Sequence, residues 1–117
     1  MSFTANDGDV LKDVFDASSE IMEFISGMDE VSFDQDRRTQ RAVLHALTII
    51  GEAVKRLSRE FRDGHASVDW SAIAGTRDIL VHHYQKVDLS EVWRMASSDI
   101  PKLNQYIQPL IPPEEDA

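Results

Sequence analysis

At 117 residues the chain is long enough for one domain with a real core, and short for a layered enzyme with a private cleft. Hydrophobic residues make up 42% and charged residues 28%, the balance of an ordinary globular protein, while the net charge of −9 argues against coating nucleic acid through an overall field. No apolar run approaches the ~20 residues a bilayer span needs, and the start lacks a basic-then-apolar signal pattern, so no membrane association and a cytoplasmic location are expected. Without cysteine there is no disulfide, thiolate nucleophile or thiolate metal site.

Charge is unevenly spread. Residues 1–30 hold eight acids and one base, Lys12, whereas 31–62 hold Arg37, Arg38, Arg41, Lys55, Arg56, Arg59 and Arg62 against four acids. A locally basic segment therefore sits inside an acidic protein.

The pattern is helical throughout, since no window alternates like a strand for long. A first helix is expected over about Asp7–Ser26, with Val10, Val14, Ala17, Ile21, Phe24 or Ile25, and Met28 on its apolar stripe and Gly27 loosening its end. A second is the clearest. Val43, Leu47, Ile50, Val54, Leu57 and Phe61 form an a/d series, and Arg38, Arg41, His45, Glu52, Arg56 and Arg59 fall on the opposite face. Asp34 or Asp36 can cap its start, and Asp63-Gly64 closes its end.

A third helix is expected from about Ser71 to Tyr84, interrupted or kinked near Gly75. The fourth opens on Asp88-Leu89-Ser90-Glu91, a variant of the capping box, and carries Trp93, Ala96, Ile100, Leu103 and Ile107. Pro101 predicts a kink or a fresh start within it. These pieces make an all-α protein, an antiparallel bundle of four to five helices over residues 1–108, followed by a loosely ordered, proline-rich acidic tail over 109–117. A bundle this small with stripes this apolar is expected to pair as a homodimer.

The candidate site is Arg77-Asp78-Ile79-Leu80-Val81-His82-His83-Tyr84. Arg77 offers a permanently charged fork of donors suited to phosphate oxygens. His82 is a histidine, the side-chain type able to take a proton from a ribose 2′-hydroxyl or give one to a leaving 5′-oxygen near neutral pH. Asp78, four residues before His82, can fix its tautomer. On an ideal helix His82 lies about 140° round from Arg77, so either the helix distorts or a second subunit completes the site; the second is expected. A structural alternative stands beside this one: a surface Asp78–His82 pair, a solvated Arg77 and a packing Tyr84. His82 and His83 point about 100° apart and make a poor metal pair, and neither His45 nor His65 has ligand spacing, so no metal or cofactor is expected. Trp70 and Trp93 are read as core.

Three separated blocks carry a resemblance: Ile49-Ile50-Gly51-Glu52-Ala53-Val54-Lys55-Arg56-Leu57-Ser58, then Val68 through Tyr84, then Val87-Asp88 and Val92-Trp93. In this order they closely resemble the HepT-like toxins of the HEPN superfamily. Arg77, His82 and Tyr84 match that family's Arg-x4-6-His-x-Tyr motif, and Asp78 stands where the family has a polar Asn or Asp. The resemblance implies a dimeric helical bundle with both motifs near the two-fold axis. It also implies a metal-independent endoribonuclease acting on RNA as the toxin of a type VII-like toxin–antitoxin system. Its implied partner is a minimal nucleotidyltransferase antitoxin of the MntA type, which neutralises the toxin by transferring AMP to Tyr84. The alternative from another class is a non-catalytic accessory subunit that docks such a nucleotidyltransferase and serves as its modification substrate.

Overall fold

The computed structural model describes residues 5–82 and 86–113; the side chains of Ala5, Ile79, Val81 and His82 lie outside that description. Among the described residues the secondary structure is helical, with no strand. The helices are α1 (Ala5–Phe24), α2 (Glu30–Asp34), α3 (Arg37–Lys55), α4 (Arg59–Gly64), α5 (Trp70–His82), α6 (Leu89–Arg94) and α7 (Ile100–Ile107).

The longest stripes hold the fold together. Val10, Leu11, Val14, Ala17 and Ile21 of α1 are buried, as are Val43, Leu47, Ile50 and Val54 of α3, and α3 packs between α1 and α5. The polar set assigned to the far face of this segment, Arg38, Arg41, His45, Glu52, Arg56 and Arg59, is exposed. At the end of α1 it is Ile25 that packs on the core, while Phe24 stays 38% exposed. The turn beyond is made by Gly27, whose φ of +79° lies in the left-handed region that a side chain disfavours.

One expected boundary moves and one short helix is added, each for a capping reason. The second expected helix is not continuous to Gly64: it stops at Lys55, and a new one starts after Ser58, whose Oγ accepts from the Phe61 N–H at 3.0 Å. Leu57 and Phe61 stay buried across this break, so the apolar series survives while the backbone turns. The connection from α1 to α3 holds the short α2, whose N-cap Asp29 accepts from Ser32 N–H while Ser32 Oγ accepts from Asp29 N–H. Of the two candidate caps for α3, Asp36 serves, accepting from Thr39 N–H at 3.0 Å.

Asp7 fixes how α1 lies on α3. Its carboxylate, with no exposed surface, accepts from the backbone N–H of Ser58 at 2.7 Å and from Ser58 Oγ at 2.6 Å. The start of α1 is thereby tied to the end of α3, and the two run antiparallel. α5 returns along the other side of α3. Trp70, 4% exposed, opens it by packing on Phe61 and donating Nε1–H to the carbonyl of His65. No break occurs at Gly75; α5 is one helix from end to end.

The last leg absorbs Pro101 without a loop. Asp88 caps α6 by accepting from the N–H groups of Ser90 and Glu91, but the Glu91 side chain turns to Arg94 instead of completing the reciprocal box. Met95–Asp99 then form a π-helical turn leading directly into α7, with Pro101 in its first turn. Ala96, Ile100, Leu103 and Ile107 are buried as expected; Trp93 is half-buried against Phe33. Asn104 Nδ2 donates to the hydroxyls of Ser18 and Ser19, fastening α7 to α1. Past Ile107 the chain makes a 3-10 turn, Gln108–Leu110, and Leu110 and Ile111 pack on the core, so the expected loose tail begins in contact with the bundle.

Candidate functional site

Arg77 leaves α5 where that helix comes into tight contact with α3. A Cβ added to Gly51 would fall 2.5 Å from Arg77 Cβ and 3.1 Å from its backbone nitrogen, so only a glycine lets the two helices meet there. That explains a residue costing about 1 kcal/mol against alanine in the middle of a helix.

The neighbouring turn of α3 supplies the partners. Arg77 Nε donates toward Glu52 Oε1 at 3.4 Å, and Nη1 toward Asp78 Oδ1 at 3.3 Å. Lys55 Nζ donates to the same Asp78 oxygen at 2.8 Å. The donors from Lys55, then from Arg77, hold the Asp78 carboxyl below the ordinary aspartate value. The Arg77 side chain is 31% exposed and those of Lys55, Glu52 and Asp78 between 42% and 53%, so this is an open surface cluster.

Of the residues picked from sequence, Arg77 and Asp78 are therefore brought together, in company that was not foreseen. Glu52, Lys55 and Gly51 were the missed members. Their signal was available: a glycine in the middle of an amphipathic helix, followed by an acid and a base at i, i+3 on one face. His82 is the last described residue of α5, but its imidazole lies outside the described side chains, as do His83 and Tyr84 entirely. The expected facing of Asp78 and His82 thus falls outside the description. The backbone does speak to the geometry. α5 is unbroken through Arg77 and His82, so their Cα positions keep the helical offset of about 140°.

The other candidates resolve into packing. His65 Nδ1 lies 2.8 Å from the Tyr106 hydroxyl and its ring stacks on Phe61. His45 is exposed, and among the described residues no three His, Asp or Glu side chains converge as a metal site. An apolar cleft of about 480 Å³ opens between α3, α5 and the α6–α7 leg, lined by Leu47, Ile50, Ile73, Leu80, Val92 and Met95 among others. None of Arg77, Asp78, Lys55 or Glu52 lines it, so the charged cluster is a separate feature.

The described residues form the all-helical bundle that the sequence resemblance implied, with Arg77 at the α3–α5 contact. Residues 14–110 match the family described as Ribonuclease HepT-like. The chain belongs to the HepT-like ribonuclease family.

Three relatives are matched over most of their own length. A protein of Thermococcus cleftensis, named a probable ribonuclease HepT, is 37% identical over 102 residues, covering 87% of this chain and 93% of the relative. A protein of Caldanaerobacter subterraneus subsp. tengcongensis, named as a candidate RNase, is 37% identical over 95 residues, covering 81% of this chain and 85% of its own. A third, from Methanocaldococcus jannaschii and likewise named as a candidate RNase, is 31% identical over 98 residues, covering 84% and 90%. No solved structure matches the chain. HepT-like membership covers every element from the middle of α1 to the 3-10 turn, with α3 and α5 at its centre.

Proposed function

We propose that this HepT-like chain is a metal-independent endoribonuclease, the toxin of a type VII-like toxin–antitoxin pair in the cytoplasm, working as a homodimer. The family match carries this reading, supported by a partly exposed Arg77 braced at the α3–α5 contact. In this reading Arg77 binds the scissile phosphate through its fork of donors. His82 takes the proton of the ribose 2′-hydroxyl; the 2′-oxygen attacks phosphorus, the bond to the 5′-oxygen breaks, and the imidazolium so formed returns its proton to that leaving oxygen. The products are a 2′,3′-cyclic phosphate and a 5′-hydroxyl. Asp78, four residues before His82, completes the proposed catalytic set by orienting the imidazole.

The helical offset supports the homodimer in this reading. On an unbroken α5 the Cα positions of Arg77 and His82 lie about 140° apart, and a second copy across a two-fold axis would bring the two groups to one phosphate. Neutralisation is proposed to come from an MntA-type nucleotidyltransferase that transfers AMP to Tyr84. Each AMP adds bulk and an anion next to the motif, competing with RNA for the cation.

The test is direct. Purified, unmodified protein is incubated with RNA in the presence of a chelator, beside Arg77→Ala and His82→Ala variants with intact helicity and dimer. Cleavage by the parent and none by either variant is expected; intact RNA with the unmodified parent refutes the nuclease. Tyr84→Phe keeps cleavage and escapes neutralisation.

The second reading, a non-catalytic subunit that docks the nucleotidyltransferase, is favoured by the net charge of −9 and by the two carboxylates already on Arg77. It predicts a stable hetero-complex and labelling of Tyr84 with no RNA turnover.

A further inference from the structure

Two cations converge on one oxygen in this cluster. Lys55 Nζ and Arg77 Nη1 both reach Asp78 Oδ1, at 2.8 Å and 3.3 Å, so they are separated by no more than those two distances combined. A carboxylate oxygen between two cationic donors has the charge and donor set that a non-bridging phosphate oxygen would meet in the same place. The three side chains come from two helices pinned at Gly51: Lys55 one turn further along α3, Arg77 and Asp78 adjacent on α5. Glu52 engages the Nε side of Arg77, leaving the Nη edge to face the shared oxygen.

We propose that Lys55 is a second phosphate-binding cation of the site, and that Asp78 is a positioning residue whose carboxylate holds Lys55 and Arg77 together until an RNA phosphate takes its place. This rests on the ribonuclease reading for its ligand class. The exchange is open to solvent at every member, since all four side chains are at least 31% exposed, so a phosphodiester can approach without unpacking the core. Charge supplies the reason for it. At rest, two cations and the carboxylates of Asp78 and Glu52 cancel. A phosphodiester entering without displacing Asp78 would leave the cluster with an excess anion, whereas one replacing it keeps the balance. Lys55 suits the role as a compact charge on a flexible stem, able to follow the oxygen it binds.

The experiment measures binding of a short 2′-O-methyl RNA, which lacks the attacking hydroxyl, to the full chain by fluorescence anisotropy from about 50 to 200 mM salt. Lys55→Gln, Lys55→Arg, Asp78→Asn and a control outside the cluster, exposed Lys102→Gln on α7, are compared with the parent. One single-strand phosphate contact contributes about 0.7 to the slope of log affinity against log salt. Lys55→Gln is expected to lower the slope by about that amount and weaken binding several-fold at the low-salt end. Lys55→Arg restores both, Asp78→Asn binds more tightly than the parent, and Lys102→Gln changes neither. An unchanged slope and affinity in Lys55→Gln overturns the proposal even if the parent cleaves RNA. A Lys55-dependent slope in a parent that fails to cleave keeps the phosphate seat and removes the nuclease. No binding by the parent overturns both.

Discussion

Residue 51 and residue 77 share one gap: a methyl on Gly51 would lie 2.5 Å from the Cβ of Arg77, inside any tolerable carbon–carbon contact. The obstructing atom is joined to the α5 backbone, so no rotamer change relieves it. Gly51→Ala must therefore push α5 from α3. Better helix propensity returns about 1 kcal/mol, and overpacking costs about 1–3 kcal/mol. A net fall in melting temperature is expected, with RNA cleavage reduced more than stability, because the displaced element carries Arg77. Melting curves and initial rates on the same preparation check this; a fully active, equally stable Gly51→Ala protein would show that the contact does not position the arginine.

Arg77→Lys keeps the charge and the Cβ that fits Gly51 but loses the planar fork. Its single ammonium cannot serve Glu52 and the Asp78 oxygen from separate nitrogens as Nε and Nη1 do. Folding is expected to match the parent, and cleavage to fall at least tenfold, read as kcat and KM on one RNA. Parental turnover in this variant would mean that position 77 supplies charge alone.

Acid should loosen the protein in a defined window. Asp29 and Asp36 are held below their ordinary values by hydrogen bonds from Ser32 and Thr39 respectively, Asp78 by Lys55 and then Arg77, and Glu91 by Arg94. A carboxyl whose folded value is depressed stabilises fully above its unfolded value, about 4, and that contribution disappears as pH falls through the folded value. Stability is expected to hold flat in these groups from neutral pH to about 5 and to decline below about 4. Urea midpoints at stepped pH test it, and Asp36→Asn should flatten part of the decline.

Ser58→Ala removes two functions with one hydroxyl, the cap on Phe61 N–H and a donor to the buried carboxylate of Asp7. Loss of a cap costs about 1 kcal/mol, and a buried acceptor deprived of a donor about 1–3 kcal/mol. A destabilisation of about 2–4 kcal/mol is expected by denaturant titration, with Ser58→Thr retaining most of the parent's stability.

How far the sequence could be read depended on the range of the forces involved. Stripes such as Val43–Leu47–Ile50–Val54 are a local record of burial, and all four proved to be core. Asp36 and Asp88 were legible as caps because capping is settled within three residues. The break at Ser58 was missed because the apolar series runs straight through it, and the device that stabilises it reaches from Asp7, far away in sequence. Arg77 and Asp78 could be chosen by chemical type, but their alignment with Glu52 and Lys55 depends on the α3–α5 contact. Only the glycine at 51 hinted at that contact, and a glycine does not say which residue approaches it.

The π-helical turn at Met95–Asp99 has a rotational consequence for the last leg. Val92, Ala96 and Ile100 recur at intervals of four, which on a regular α-helix creeps steadily round the axis. A wider turn, bonding to the fifth residue back as Ile100 N–H does to Met95, reverses that creep. Removing one residue from this stretch would therefore restore a tidier helix and at the same time swing Leu103 and Ile107 off the seam they fill.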